Sequence, residues 1–143
     1  MSDRRSIAGA AGRGVVAAMA MTGLRRMTTG LGLVCKPPPE EIATEGLSGM
    51  LATIPPAKRN EAIELAHWAF GAAASIAYAL LPAAMRRLPF AGPMYGLAIW
   101  AGYETVGKRI LVGSGAEDDG LSAQVAIALD HLLYGAIIGV DRS

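Results

Sequence analysis

The two most informative stretches of the sequence are Gly71-Ala-Ala-Ala-Ser-Ile-Ala-Tyr-Ala-Leu-Leu81 and Leu97-Ala-Ile-Trp-Ala-Gly102. Either stretch, wound into a helix, is apolar on every side, whereas a surface helix of a soluble protein has an apolar stripe and a charged face. Alanine and glycine dominate both stretches, which favours close-packed helices over strands. The sequence therefore predicts an all-α protein whose helices are surrounded by something other than water.

The composition agrees with this interpretation. Of the 143 residues, 52% are hydrophobic and 17% are charged, and the mean hydropathy is +0.37. A soluble domain carries about a quarter charged residues. The 13 basic and 12 acidic side chains leave a net charge of +1, which provides no basic surface for a phosphate backbone. We therefore expect a lipid bilayer as the partner and no nucleic acid.

Four apolar segments are long enough to cross a bilayer, which takes roughly 20 helical residues. They cover residues 7–24, 62–81, 91–112 and 121–140. We therefore predict a four-helix transmembrane bundle, a single integral membrane domain over residues 1–143. A long connection over 25–61, with the proline run Lys36-Pro-Pro-Pro39, joins the first two helices, and its part 40–51 is either a short interfacial helix or a polar loop.

The ends of the segments set the predicted topology. The first segment is expected to end at Arg25 and Arg26, and Asn60 is expected to cap the second. Arg13 interrupts the first apolar segment, which favours an uncleaved helix over a secretory signal. Four spans place both termini on one side together with the hairpin 82–90, whose two arginines favour cytoplasmic termini of a multi-pass protein in the bacterial inner membrane.

Small residues recur four apart in the predicted helices, so that each pair lies on one helix face where a second backbone can approach. The pairs are Ala10 with Gly14, Gly71 with Ser75, Gly92 with Gly96, and Gly135 with Gly139. We interpret these pairs as helix-packing surfaces. The alternative is chance in a chain that contains 18 glycines.

Ionisable residues from three different predicted helices fall at similar depth in the bilayer. They are His67, Glu104, Asp130 and His131. Such residues are costly inside a membrane, so we predict that they form a buried polar cluster. One interpretation is structural, with every polar group satisfied by a partner on another helix. Another is proton handling by a histidine beside a carboxylate.

Two further interpretations involve a bound group. Glu64, His67, Glu104 and His131 offer mixed oxygen and nitrogen ligands for a metal ion. His67 and His131 are also candidate axial ligands of haem or a pigment. A single Glu-x-x-His pattern and two histidines do not select any of these groups, so no cofactor is predicted. The chain has no motif for hydrolysis or phosphate binding, and we expect no enzymatic activity.

The two histidines lie in similar surroundings in the sequence. The segments are Ala66-His67-Trp68-Ala69-Phe70-Gly71 and Asp130-His131-Leu132-Leu133-Tyr134-Gly135. Each has an aromatic residue three positions after the histidine and then a glycine. A glycine one turn from an imidazole leaves room for a neighbouring helix or a flat ligand, and the similarity is either a trace of duplication or a coincidence.

The order of motifs along most of the chain resembles that of one protein family. The motifs are Met21-Thr22-Gly23, Pro37-Pro-Pro39, His67-x-x-Phe70-Gly71 with Tyr78 and Pro82, Gly96 with Trp100 and Glu104, and His131-x-x-Tyr134-Gly135. They look like those of the YagU-like small bacterial inner-membrane proteins. The resemblance implies a membrane protein with a role in acid resistance and no defined reaction.

Three functional hypotheses follow from the sequence. The first is a small multi-pass membrane protein whose buried His/Glu cluster is structural or proton-responsive. The second is an accessory subunit of a larger membrane complex, or a homo-oligomer, which docks through its glycine faces and its long connection. The third is a membrane protein that transports a solute or binds a metal, haem or pigment.

Overall fold

The computed structural model describes residues 2–33, 42–43, 47–111 and 120–140, and none of them lies in a β-strand. The all-α prediction is therefore confirmed for this part of the chain. The helices are α1 (Ser2–Gly30), α2 (Ser48–Ala52), α3 (Arg59–Ala79), α4 (Ala83–Arg86), α5 (Ala91–Gly102), α6 (Lys108–Leu111) and α7 (Leu121–Ile138). A 3₁₀ turn over Pro56–Lys58 precedes α3, and a π-helical turn over Tyr103–Gly107 joins α5 to α6.

Helix α1 is longer than the predicted segment 7–24. It continues through Arg25 to Gly30, because Arg25 is buried against another helix and its charge is paired there with Glu64. The helix ends in a Schellman motif. The amide of Leu33 donates to the carbonyl of Thr28 at 3.0 Å, and Gly32 has a φ of +73°, a left-handed conformation that favours glycine.

The other three segments also differ from their predicted ends. Lys58 stands at the cap position of α3 and no side chain bonds there, so Asn60 is a residue of the first turn and not its cap. The third segment is not one α-helix, because the π-helical turn interrupts it and carries Glu104. Helix α7 ends at Ile138, two residues before the predicted 140.

The four long helical segments form two antiparallel pairs. In the first pair, α1 and α3, Thr22 near the end of α1 bonds Glu64 near the start of α3. In the second pair, α5 and α7, Gly92 at the start of α5 contacts Gly139 just after α7. The two pairs meet through close packing of α1 against α7. The resulting spatial order is α3, α1, α7, α5.

Each pair is held together backbone to backbone at small residues. A β-carbon added to Gly14 would overlap the carbonyl oxygen of Gly71, and one added to Gly71 would lie 2.7 Å from Cβ of Ala18. In the second pair, a β-carbon on Gly96 would overlap the carbonyl oxygen of His131. These contacts contain Gly71 and Ser75 in the first pair and Gly92, Gly96, Gly135 and Gly139 in the second. The structure thus places every predicted glycine or serine of α3, α5 and α7 at a helix contact.

Many large apolar side chains lie on the outside of the molecule, and small residues make up half of the buried hydrophobic ones in the described part of the chain. These buried hydrophobic residues are Ala10, Ala17, Ala18, Met21, Tyr78, Ala123, Ala126, Ile127, Tyr134 and Ile138. Exposed ones occur on all four long segments and include Val16, Met19, Leu65, Phe70, Met94, Val106, Ile110, Val125 and Leu129. So many exposed large apolar side chains are unusual for a water-soluble protein.

Two helical stretches of the described chain are long and apolar enough to cross a membrane, Ile7–Gly30 and Leu121–Ile138. The prediction of four such spans is therefore supported for the first and last only. The third is divided by the π-helical turn, and the second begins with Arg59 and carries Glu61, Glu64 and His67.

The connection between α1 and α3 is described in part. Within 40–51, α2 begins at Ser48, and Ile42 and Leu47 point toward the interior of the bundle, where they line a cavity. The end of the stretch, from Ser48, is helical, and residues 40–41 and 44–46 lie outside the described residues. The proline run Lys36-Pro-Pro-Pro39 and residues 112–119, between α6 and α7, lie outside the described residues.

A pair of glycine substitutions tests the backbone contact in the second helix pair. We expect Gly96→Ala to lower the free energy of unfolding by about 1–3 kcal/mol, because its methyl group would meet the carbonyl of His131. Gly23→Ala is the control, since nothing lies within 4 Å of a β-carbon there, and it should raise stability by up to about 1 kcal/mol. SDS titration in mixed micelles, followed by circular dichroism, measures both. Equal effects of the two substitutions would contradict the packing.

Candidate functional site

A cavity of about 470 Å³ lies between the two helix pairs. Its walls come from α1, α3, α5, the π-helical turn and α7, and most of its lining is apolar. The polar residues among those that line it are Arg25, His67, Tyr103, Asp130, His131 and Tyr134. The volume suits a small organic molecule, and an apolar cavity with a few convergent polar groups is the usual form of a ligand site.

The cavity opens between α3 and α5. Ala66 and Phe70 of α3 and Gly102 of α5 line it although all three are exposed, Phe70 to 60%, so they stand at its mouth. The backbones of α3 and α5 do not pack closely against each other in the described part of the chain. Ile42 and Leu47 of the connection also line the cavity. A molecule would reach the cavity sideways, between two helices.

Tyrosines close the end of the cavity nearer the hairpin 82–90. The hydroxyl of Tyr134 donates to the carbonyl of Gly71 at 2.6 Å, and that of Tyr95 donates to the carbonyl of Ala74 at 2.9 Å. The ring of Tyr95 lies against that of Tyr78, with centroids 5.2 Å apart. These bonds connect α3 to α5 and α7 at the end of the cavity nearer the hairpin. Along the cavity itself, α3 and α5 remain apart.

Arg25 is the buried cation of the site. Its residue surface is 7% exposed, and its Nη2 lies 3.3 Å from Oε1 of Glu64, which is more exposed. The hydroxyl of Thr22 donates to the other carboxylate oxygen of Glu64 at 2.9 Å. Trp68 Nε1 donates to the same hydroxyl at 3.3 Å. These bonds join α1 to α3, and they occupy both oxygens of Glu64.

Arg25 also lies within electrostatic range of His67 on α3 and of Asp130 and His131 on α7. One guanidinium therefore stands among two carboxylates, although only that of Glu64 forms an ion pair with it. If both carboxylates are ionised, these three groups carry one negative charge in excess.

Two residues that line the cavity, His67 and Asp130, each carry a buried polar atom without a hydrogen-bond partner in the described part of the chain. Oδ1 of Asp130 and Nε2 of His67 are buried and accept or donate no hydrogen bond among the described residues. Asp130 is 4% exposed.

His131 Nδ1 lies 2.9 Å from the carbonyl oxygen of Ile127. A carbonyl oxygen only accepts hydrogen bonds, so this nitrogen carries a proton. In the neutral ring, Nε2 of His131 is then a hydrogen-bond acceptor.

The structure brings together three of the four residues of the predicted polar cluster. His67, Asp130 and His131 all line the cavity, whereas Glu104 lies on the π-helical turn and does not. Among the candidate metal ligands, Glu64 is engaged by Arg25 and Thr22. No three His, Cys, Asp or Glu side chains of the described residues form a group that could hold a metal ion.

The two histidine segments occupy matching places in the two helix pairs. Both histidines line the cavity, as do the aromatic residues that follow them, Phe70 and Tyr134. The next residue in each segment, Gly71 or Gly135, contacts the partner helix of its own pair. The similarity in sequence thus corresponds to a similarity in position. The two segments differ at the residue before the histidine, which is Ala66 in α3 and Asp130 in α7.

Arg25 and Thr22 belong to the site, although no motif in the sequence identifies them. The sequence predicts that Arg25 ends a membrane span, but it also contains a signal for burial. Ala18, Thr22 and Arg25 follow Gly14 at helical spacing, so they lie near the face of α1 that carries the small-residue contact. A cation on such a face requires a carboxylate on the opposite helix.

The ion pair between Arg25 and Glu64 can be tested by removing its acidic partner. We expect Glu64→Gln to lower the free energy of unfolding by about 1–3 kcal/mol, because the buried guanidinium loses its counter-charge. The exposed Glu61, one turn earlier, is the control, and Glu61→Gln should change stability by less than about 0.5 kcal/mol. A double replacement, Arg25→Met with Glu64→Leu, should recover part of the loss. Equal stabilities of the two glutamine variants would rule out this role.

A comparison with protein-family models, curated proteins and solved structures finds no match for this chain. The resemblance to the YagU-like proteins therefore stays a prediction.

Proposed function

We propose that this protein is a four-span integral membrane protein that binds a small lipophilic ligand in the cavity between its two helix pairs. The observation that carries the proposal is an apolar cavity, open between α3 and α5, whose lining residues His67 and Asp130 each carry a buried polar atom with no hydrogen-bond partner among the described residues. Buried polar groups are nearly always hydrogen-bonded, so unpartnered ones on residues that line a cavity support a bound ligand or water there.

The distribution of side chains supports membrane insertion of all four segments. In the most apolar stretch of 18 residues, only 33% of α1 and 39% of α7 is buried. The central helix of a soluble core would be mostly buried. Exposed Met94, Val106 and Ile110 give the third segment the same outward apolar surface. Exposed Leu65 and Phe70 do so for α3. An apolar outer surface around an interior of alanine, glycine and polar groups is typical of bundles in lipid.

The interior charges fit the same environment. Charged residues in membrane proteins face the bundle interior and pair with one another, as Arg25 does with Glu64. The location in the bacterial inner membrane and the cytoplasmic termini stay predictions from the sequence.

Proton response is a second candidate function, favoured by the buried carboxylate of Asp130. A proton on this group would remove the excess negative charge around Arg25. This role would agree with the acid-resistance function that the family resemblance implies. The accessory-subunit hypothesis predicts a stable partner of fixed stoichiometry on a native gel after purification in mild detergent.

The four-span arrangement can be tested with spin labels at outward positions. In a Cys35→Ser background, single cysteines replace Val16, Ala73, Met94 and Leu129, one on each long segment. We expect all four labels in lipid vesicles to be relaxed by oxygen and protected from a water-soluble nickel chelate. A label at the exposed Asn60 is the control and should be reached by the chelate. Chelate access at Ala73 and Met94 would reduce the protein to two spans.

Binding in the cavity can be tested by closing its mouth. We expect the detergent-purified protein to bind the fluorescent probe 1-aminoanthracene saturably, and Ala66→Trp to weaken binding about tenfold or more by filling the entrance. Ala73→Trp places the same side chain on the same helix away from the cavity and should leave binding unchanged. Direct excitation of the probe avoids signal from the added tryptophan. Identical binding by all three proteins would overturn the assignment of the site.

A further inference from the structure

We propose that the ligand of the cavity is a lipophilic primary or secondary ammonium ion, whose N–H groups donate to the carboxylate of Asp130 and to an imidazole of His67 or His131. The inference rests on the proposed ligand-binding function and specifies the chemical class of the ligand. It follows from the hydrogen-bonding inventory of the cavity, its charge and the nature of its walls.

The unpartnered atoms favour a ligand that donates hydrogen bonds. The carboxylate of Asp130 accepts when ionised, and its Oδ1 has no partner. Nε2 of His131 is an acceptor in the neutral ring, because Nδ1 donates to Ile127. Nε2 of His67 is buried without a partner and is an acceptor in one of its two tautomers. A ligand with several N–H groups supplies the type of partner, a donor, that the carboxylate of Asp130 and a neutral imidazole accept.

The charge of the cavity favours a cation. Arg25 is the single lysine or arginine among the described residues that line it, and its guanidinium is held by Glu64 and Thr22. Within the described part of the chain, the carboxylate of Asp130 therefore has no ion-pair partner of its own. Burying a charge in an apolar site is costly unless an opposite charge accompanies it, and an ammonium ion provides that charge.

The residues that line the cavity favour an organic ammonium ion over a metal ion. Phe70, Tyr103 and Tyr134 line the cavity together with aliphatic side chains, and the faces of aromatic rings attract ammonium groups. A metal ion needs several close ligands, and the described acids and histidines do not converge in threes. An alkyl or aryl tail would occupy the apolar part of the cavity and extend toward the mouth at Ala66.

The two helix pairs differ at the position of Asp130, and the difference shows that Asp130 is not needed for helix packing of this type. Both pairs close around the same sequence of histidine, aromatic residue and glycine, yet the first pair does so with Ala66 in place of the acid. An acid at this position is therefore not required for this type of helix contact. This difference supports a role in binding.

The probe for the test is 4-fluorophenethylamine, observed by fluorine NMR with the full-length protein in dodecylmaltoside micelles. The comparison ligands are 2-(4-fluorophenyl)ethanol, a neutral analogue, and 3-(4-fluorophenyl)propionate, an anion. We expect the amine to bind about tenfold more tightly than the alcohol and the anion to bind least, because only the amine brings a positive charge to Asp130. Asp130→Asn should abolish the preference for the amine, whereas Glu61→Gln, an exposed control, should retain it.

Each outcome decides for or against the proposal. If the alcohol binds as tightly as the amine, the ammonium class is wrong while the cavity remains a ligand site. If none of the three compounds binds, the class is also wrong, and binding of 1-aminoanthracene shows separately whether the ligand-binding function survives. The comparison of amine with alcohol uses only the wild-type protein, so a failure of Asp130→Asn to fold would not prevent a decision. Within a folded variant, a preserved preference for the amine would exclude Asp130 as the partner.

Discussion

The architecture depends on the direct contact of helix backbones within each pair. Where Gly14 meets Gly71 and where Gly96 meets His131, there is no space for a β-carbon. The two helices of a pair are therefore fixed in distance and register, and side chains that do not fit between them lie outside or between the pairs. Since the pairs pack closely through α1 and α7 and not through α3 and α5, the space between them remains open as the cavity.

Fixed register also determines which polar groups meet. In the first pair it places Thr22 and Arg25 opposite Glu64, so the buried cation is neutralised between neighbouring helices. In the second pair it places Asp130 beside the cavity with one oxygen unpartnered. The first arrangement satisfies its charges within the protein. In the function proposed above, the second provides a charge and hydrogen-bonding capacity for a ligand or a proton.

Much of the fold and part of the site could be predicted from the sequence, because both rest on local patterns. All-round apolarity predicts helices, small residues four apart lie at the helix contacts, and the similar histidine segments lie at matching positions. The sequence did not predict the burial of Arg25, since the same residue is suitable for a membrane boundary. It also placed Glu104 in the cluster by assuming a straight α-helix, whereas the π-helical turn changes the direction of the side chains there.

The central claim is that the cavity holds a small molecule taken from the membrane. The most direct measurement is native mass spectrometry of the protein extracted from its own membranes in mild detergent, with gentle removal of the detergent in the gas phase. The account predicts a mass above that of the chain by one small molecule, which is released by collisional activation and absent from Ala66→Trp. A spectrum with only the bare chain, the same for both proteins, would contradict it.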